Sequence, residues 1–216
     1  MPLKLYGTAL SSAAYRVRIA LNLKGLAHEH AFVDLGRGEQ ASAEYLAVNP
    51  QGLEPVLVDG EVVLTQSMAI LEYLEERWPR PPLLPATPAE RARVRALGHV
   101  VACEIHPLNN RRVRRYVADD LSHDKAALSA WYQHWIAIGL TALEALTAGH
   151  PATAAFCHGP APTLADVCLI PQIFNAKLYH CPLDTYPTLM AIFDNCMTLP
   201  AFDQAQPAKQ ADFVRE

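Results

Sequence analysis

The pattern of apolar and polar positions changes character near residue 80. Before it, short apolar runs alternate with helical stripes. Leu3–Tyr6 is a short strand candidate. Ser11–Lys24 follows, with Val17, Ile19, Ala20 and Leu23 apolar and Gly25 as a stop, which predicts a helix. His28–Leu35 reads as a second strand. Pro55–Asp59 and Glu61–Leu64 flank Asp59-Gly60, a strong hairpin signal. Gln66–Trp78 then places Ile70, Leu71 and Leu74 on one helical face. The predicted order, β-α-β-(α)-β-β-α, is an α/β sheet with helices.

After residue 88 no segment reads as a convincing strand. Residues from Ala89 to about Ala118 form one long helical pattern with Val94, Leu97, Val101, Ile105 and Leu108 as its apolar stripe. Such a helix would run roughly 45 Å. Pro107 lies inside it and has no amide to offer Cys103, so a kink is expected there. Lys125–Thr147, Thr163 to about Tyr179, and Pro187–Cys196 are further helices. Thr163-Leu164-Ala165-Asp166 reads as a capping box that starts a buried helix. The two textures are separated by residues 79–88, where five prolines in ten residues forbid a helix or a central strand. The expected organisation is an α/β domain over 1–79, a Pro-rich linker over 80–88 and an all-α domain over 89–216.

Composition narrows the function classes. The chain has 216 residues, 51% of them hydrophobic, and a net charge of −4, which excludes a mainly disordered protein. The 22 acidic against 18 basic residues argue against nucleic-acid binding, which rests on clustered cations. The run Arg111, Arg112, Arg114 and Arg115 reads first as a solvated helix face. It can also serve an anionic substrate pocket, but no aromatic residues interleave it. No apolar run approaches the roughly 20 residues of a transmembrane helix, and the N-terminus lacks the features of a signal peptide. Five cysteines, an odd number without a CxxC pair, point to a reduced, cytoplasmic setting rather than a disulfide framework or zinc site. The histidines show no ligand spacing, so no metal is expected. Cys103, Cys168 and Cys196 fall in helical apolar patterns and read as buried, inert residues.

Three polar turns in the first half carry candidate chemistry. Ser11-Ser12 sits where a strand passes into a helix. The hydroxyls there cap the helix, and the free amides and positive dipole end also favour an anion, a thiolate included. The first half has no cysteine, so a thiol at this turn must arrive on a ligand. Asn49–Leu57 contains Pro55 at the start of a strand, where a cis bond and exposed neighbouring backbone groups can receive an extended peptide; otherwise it is an ordinary loop. Gln66-Ser67 opens the third helix, as a cap or as a carboxylate site. Tyr6 is a rival to Ser11 for holding a thiolate, although a Tyr on a sheet is more often core.

These residues also carry a resemblance. Leu5-Tyr6, Ser11-Ser12 ahead of Arg16-Val17-Arg18-Ile19-Ala20-Leu21, Asn49-Pro50, Pro55, Gln66-Ser67 and Thr163-Leu164-Ala165-Asp166 resemble the zeta class of the glutathione transferases over almost the whole chain. Residues 103–112 (CEIHPLNNRR) are similar to a segment of maleylacetoacetate and maleylpyruvate isomerases. The resemblance implies a thioredoxin-like N-terminal domain, a helical-bundle C-terminal domain, glutathione as cofactor and a homodimer. It implies that Ser11, with Ser12 as nearest substitute, hydrogen-bonds the glutathione sulfur. Gln66 and Ser67 would bind the γ-glutamyl carboxylate. The Glu54 backbone, ahead of a cis-Pro55, would pair with the cysteinyl part, and Gln40 and Gln51 would reach the glycine end. Glu104, His106, Asn110 and Arg112 would line the cleft between domains.

The implied reaction is cis–trans isomerisation of a maleyl-type keto acid: thiolate addition to a conjugated double bond, rotation and elimination. Three positions depart from the family pattern. Ala13 stands where the family often has Cys, and Leu10 and Leu178 stand where it commonly has Arg. Leu10 and Leu178 imply a more apolar second-substrate pocket, with Arg111, Arg112 and Lys177 as replacement cations. A general glutathione transferase acting on small electrophiles is the alternative, and a non-catalytic binding protein of the same fold is the third reading.

Overall fold

The computed structural model describes residues 2–213. Four strands, β1 (Leu3–Gly7), β2 (His28–Phe32), β3 (Val56–Asp59) and β4 (Val62–Thr65), form one mixed sheet in the order β2-β1-β3-β4. β1 runs parallel to β2, with Leu3 opposite His28 and Gly7 opposite Phe32, and antiparallel to β3. The parallel pair requires a crossover, which α1 (Ser12–Leu23) supplies. β3 and β4 close as the expected hairpin, with Gly60 at φ 62° in the turn. A short helix, α2 (Ala43–Val48), precedes β3, and α3 (Ser67–Arg77) follows β4. Leu5, Val17, Ile19, Leu57, Ile70, Leu71 and Leu74 are fully buried, so sheet and helices share one core. β2 ends at Phe32, three residues before the expected Leu35.

The described residues fall into two compact units, one made by 2–83 with 197–213 and the other by 84–196. The tail from residue 197 onward was expected with the helical half. Its described part, 197–213, belongs instead to the α/β unit, where it satisfies donors. Arg18 Nε donates to the Ala205 carbonyl (3.0 Å) and Asn22 Nδ2 to that of Ala201 (3.0 Å). Asp212 Oδ2 accepts from the Ala9 amide (2.8 Å) and the Thr8 hydroxyl (3.1 Å). The α/β unit also contains a buried ion pair. Lys24 Nζ, at the end of α1, donates to Glu75 Oε2 (2.9 Å) and to the carbonyls of Trp78 (2.7 Å) and Pro81 (3.0 Å).

The described part of the second unit is helical: α4 (Pro88–His99), α5 (His106–Asn109), α6 (Arg111–Asp119), α7 (Lys125–Thr147), α8 (Leu164–Leu178) and α9 (Pro187–Met197), the last ending one residue beyond the unit boundary. α10 (Pro200–Asp203) lies in the returning tail. The single helix expected over Ala89–Ala118 is broken. Between α4 and α5 the turns widen into a π-helix over Val100–Ile105, and at Asn110 the backbone leaves helical geometry (ψ 159°). Pro107 explains the first change. Its ring collides with the carbonyl one α-turn back, and widening that turn relieves the collision. Asn110 explains the second. Its Oδ1 accepts the Val113 amide (3.0 Å) and starts α6 afresh. Cys103, within the widened stretch, is exposed and not buried as expected; all five cysteines are free thiols. Ile105 lies so close to Gly139 of α7 that a Cβ there would come within 2.2 Å of it.

Asp166, fully buried, reaches back to the Thr163 amide (2.7 Å) and accepts the Thr163 hydroxyl (2.7 Å) and the Cys157 amide (2.8 Å). Burial pushes its carboxyl up from the ordinary Asp value, and these bonds oppose that shift. Asp166→Asn is expected to cost about 2 kcal/mol, since an amide group offers one acceptor oxygen where three donors converge. Thermal unfolding should show a fall of roughly 4–8 °C. An unchanged midpoint would mean that the three donors find other partners. Among the described residues no helix is long and apolar enough to cross a membrane.

Candidate active site

The α/β unit gathers the three polar turns. Ser11 is the N-cap of α1 (φ −68°, ψ 114°), and its Oγ accepts the Ala14 amide at 3.2 Å. That bond uses an acceptor site and leaves the hydroxyl proton to be donated elsewhere. Ser11 is half-buried, whereas Ser12 is buried within the first turn. Ser11 is therefore the hydroxyl that a ligand over the α1 N-terminus can reach. Tyr6 packs edge-on against Tyr45 (centroids 6.3 Å) beside Val33 and Val56, in a core cluster.

The Glu54–Pro55 peptide is cis, as the sequence suggested. The loop ahead of it is fixed at Leu53, whose carbonyl accepts from Tyr45 Oη (2.8 Å) and Asn49 Nδ2 (2.6 Å). Gln66 is the N-cap of α3 at φ 68°. A non-glycine residue in that left-handed region is uncommon and costs about 1–3 kcal/mol, strain that clusters at functional sites. Gln66 Nε2 donates to Gln51 Oε1 (2.9 Å). The resemblance assigned these two side chains to opposite ends of glutathione, but the direct contact brings them to one place. Gln40 adjoins them: its carbonyl would lie 3.1 Å from a Cβ on Gly52, and its buried Oε1 has no partner. Ser67 is buried, and its hydroxyl accepts from Arg16 Nη1 (3.1 Å).

One group was missed. Glu54 was assigned a role only through its backbone. Its carboxyl turns inward, toward the end of β1 and the start of α1, where a Cβ on Gly7 would lie 3.6 Å from Oε2. Burial pushes this carboxyl up to about 7, against the Ser11 hydroxyl, Arg18 and the Thr8 amide, which favour the charged form. A carboxylate inside the apolar run Leu53–Val58 was the signal available in the sequence.

The second unit carries the remaining candidates. His106 and Asn110 are half-buried; Glu104, Arg111, Arg112 and Lys177 are exposed. Asn110 is engaged as the α6 cap and also donates to the Pro107 carbonyl (2.8 Å). Lys177 Nζ stands 3.7 Å from the Phe193 ring centroid. Arg114 donates to Tyr179 Oη and lies over the rings of Tyr132 and Tyr179, so within the basic run it is tied into aromatic packing. Leu178 is 49% exposed and, in the first unit, Leu10 is 42% exposed. Among the described residues no three His, Cys, Asp or Glu side chains converge as metal ligands.

Residues 1–76 match the glutathione S-transferase N-terminal domain family. A maleylpyruvate isomerase from Ralstonia sp. is 45% identical over 97% of this chain and 99% of its own length. The holo structure of a maleylpyruvate isomerase, a bacterial glutathione S-transferase of the zeta class, superposes with a TM-score of 0.96 at 45% identity. It covers 98% of this chain and 100% of the other. A maleylacetoacetate isomerase from Methylobacterium extorquens AM1, with malonate and glutathione bound, gives 0.95 at 41% identity over 98% and 100% of the two chains. A thioredoxin-like sheet with a serine-capped first helix, a helical second unit and relatives of this identity along its whole length make the chain a member of the zeta class of the glutathione S-transferase family.

Proposed function

We propose that this protein is a glutathione-dependent cis–trans isomerase of a maleyl-type keto acid, maleylpyruvate or maleylacetoacetate, in aromatic catabolism. The observation that carries the reading is the half-buried Ser11 hydroxyl at the N-terminus of α1, on a chain matched along its length by such isomerases. The site fits glutathione on its own terms. The positive end of the α1 dipole favours a sulfur anion, and the orphaned Gln40 side-chain oxygen invites a polar ligand group. Bound glutathione supplies a thiolate that adds to the substrate double bond and leaves after rotation.

The chain's own residues do the rest. Ser11 donates a hydrogen bond from its hydroxyl to the sulfur anion, with the α1 dipole favouring negative charge. Gln66 and Ser67 hold the γ-glutamyl end, the Glu54 backbone pairs with the cysteinyl part, and Gln40 and Gln51 bind the remaining polar groups. Glu104, His106, Asn110, Arg111, Arg112 and Lys177 serve the second substrate, the arginines through its carboxylates. We expect a homodimer working in the cytoplasm, where free thiols persist; light scattering should give twice 23.8 kDa.

The deciding assay follows loss of the cis keto acid with and without glutathione. Isomerisation should require glutathione, and Ser11→Ala should lower kcat/KM about 100-fold, the usual loss for one preorganised donor to a reacting anion. Exposure of Leu10 and Leu178 favours a second reading, transferase chemistry on a small neutral electrophile. Conjugation without isomerisation would select that reading. Failure to bind millimolar glutathione would leave a non-catalytic binding protein.

A further inference from the structure

Behind Ser11 lies a buried cluster in which acid outnumbers base. Arg18 is its cation, and burial lowers its pKa to about 10. Its N–H groups are directed to the carbonyls of Ala205 (3.0 Å), Thr8 (3.2 Å) and Ala9 (2.9 Å), leaving the carboxyls without a short bond to it. Asp212, from the returning tail, has Oδ2 occupied by Ala9 and Thr8, while its Oδ1 is buried without a partner. Glu54 is the other carboxyl. Both its oxygens are hidden from solvent and make no hydrogen bond of ordinary geometry. The groups facing it are Ser11 and Arg18 of α1, the Thr8 amide, Asp212, and Tyr45 of α2. Tyr45 already donates to Leu53. With both carboxyls ionised the cluster holds one negative charge in excess. One proton relieves it, and Glu54, with neither oxygen occupied, takes it in preference to Asp212, whose carboxylate is already stabilised by two donors.

We propose that Glu54 is the proton acceptor behind Ser11: when a thiol binds over the α1 N-terminus, Ser11 Oγ takes the thiol proton while its own hydroxyl proton passes to a Glu54 carboxylate oxygen. The inference rests on the reading that Ser11 faces the sulfur. The bond broken is S–H and the bond formed is Glu54 O–H. Nothing is oxidised or reduced, and one buried anion vanishes as another appears at sulfur. A carboxyl held near 7 is matched to this exchange at neutral pH. Because Glu54 acts through Ser11, it is a positioning residue and not a catalytic one.

The test is calorimetric proton counting. Glutathione is titrated into the full-length protein at about pH 7.5 in two buffers of different ionisation enthalpy, with ultraviolet thiolate absorbance read on the same samples. An ordinary thiol, with a pKa of about 8.5, is roughly nine-tenths protonated at this pH. Wild type should form thiolate with almost no proton released to buffer. Glu54→Gln should release close to one proton per thiolate formed. Thiolate formation in wild type with about one proton released overturns the proposal and leaves the Ser11 reading intact. Absence of thiolate absorbance in wild type, with glutathione bound, overturns both. The wild-type measurement decides by itself if the variant does not fold.

Discussion

Replacing Lys24 by methionine is expected to destabilise the protein by about 3–5 kcal/mol, the usual consequence of removing one partner from a buried ion pair. Both side chains are withdrawn from water, with relative exposures of 0% for Lys24 and 6% for Glu75. Methionine removes three bonds at one atom: to Glu75, to the last turn of α3 through Trp78, and to the Pro81 carbonyl. It also leaves a buried carboxylate without its counter-ion, and that penalty exceeds the Coulombic gain the pair provided. Adding Glu75→Gln should recover part of the loss, because glutamine stays neutral and still accepts the Leu83 amide that Glu75 Oε2 now receives at 2.9 Å. Denaturant unfolding at neutral pH measures both variants. A loss below 1 kcal/mol for Lys24→Met would show that the pair is neutral in net effect.

Glu54→Met should change stability in the opposite direction, and only where Glu54 is ionised. The folded-state pKa of Glu54 is raised from 4.5 to about 7, so the folded state binds this proton more tightly than the unfolded chain does. Its contribution is favourable below about pH 4.5 and is lost as pH rises through 7. The difference of about 2.5 units corresponds to about 3 kcal/mol at 1.36 kcal/mol per unit. Methionine has no such slope, so the variant should gain about 3 kcal/mol on wild type at pH 8 and much less at pH 4.5. Unfolding free energies at the two pH values test this; a pH-independent difference would mean that Glu54 is not the titrating group. The same substitution removes the proposed proton acceptor, so stability and thiol activation should move apart, as they do where a site retains a destabilising group for function.

What could be read from the sequence was what short-range chemistry determines. Ser11 as a cap, the Asp59-Gly60 hairpin, the proline before β3 and the Thr163–Asp166 pairing each depend on neighbours within a few residues, and each is present in the structure. The apolar stripe of the first long helix was read correctly as far as Ile105. Its continuation failed because periodicity reports a repeat and not the turn type that carries it. The return of residues 197–213 to the α/β unit could not be read, since helical texture does not say which unit a segment packs against. Glu54 escaped for a related reason. The groups around its carboxyl come from α1, α2, the turn between β1 and α1, and the C-terminal tail, segments up to about 200 residues apart along the chain.

The widened turns over Val100–Ile105 hold more chain per unit of axial advance than an α-helix does. They therefore work as an angular gear. Each residue turns an α-helix by about 100°, so one residue more or fewer in this stretch would turn α5 by about that amount relative to α4 and redirect the start of α6 with it. His106, Asn110, Arg111 and Arg112 all lie downstream. The direction in which those four side chains face therefore depends on a length of chain, and a single deletion would redirect them without changing any one of them.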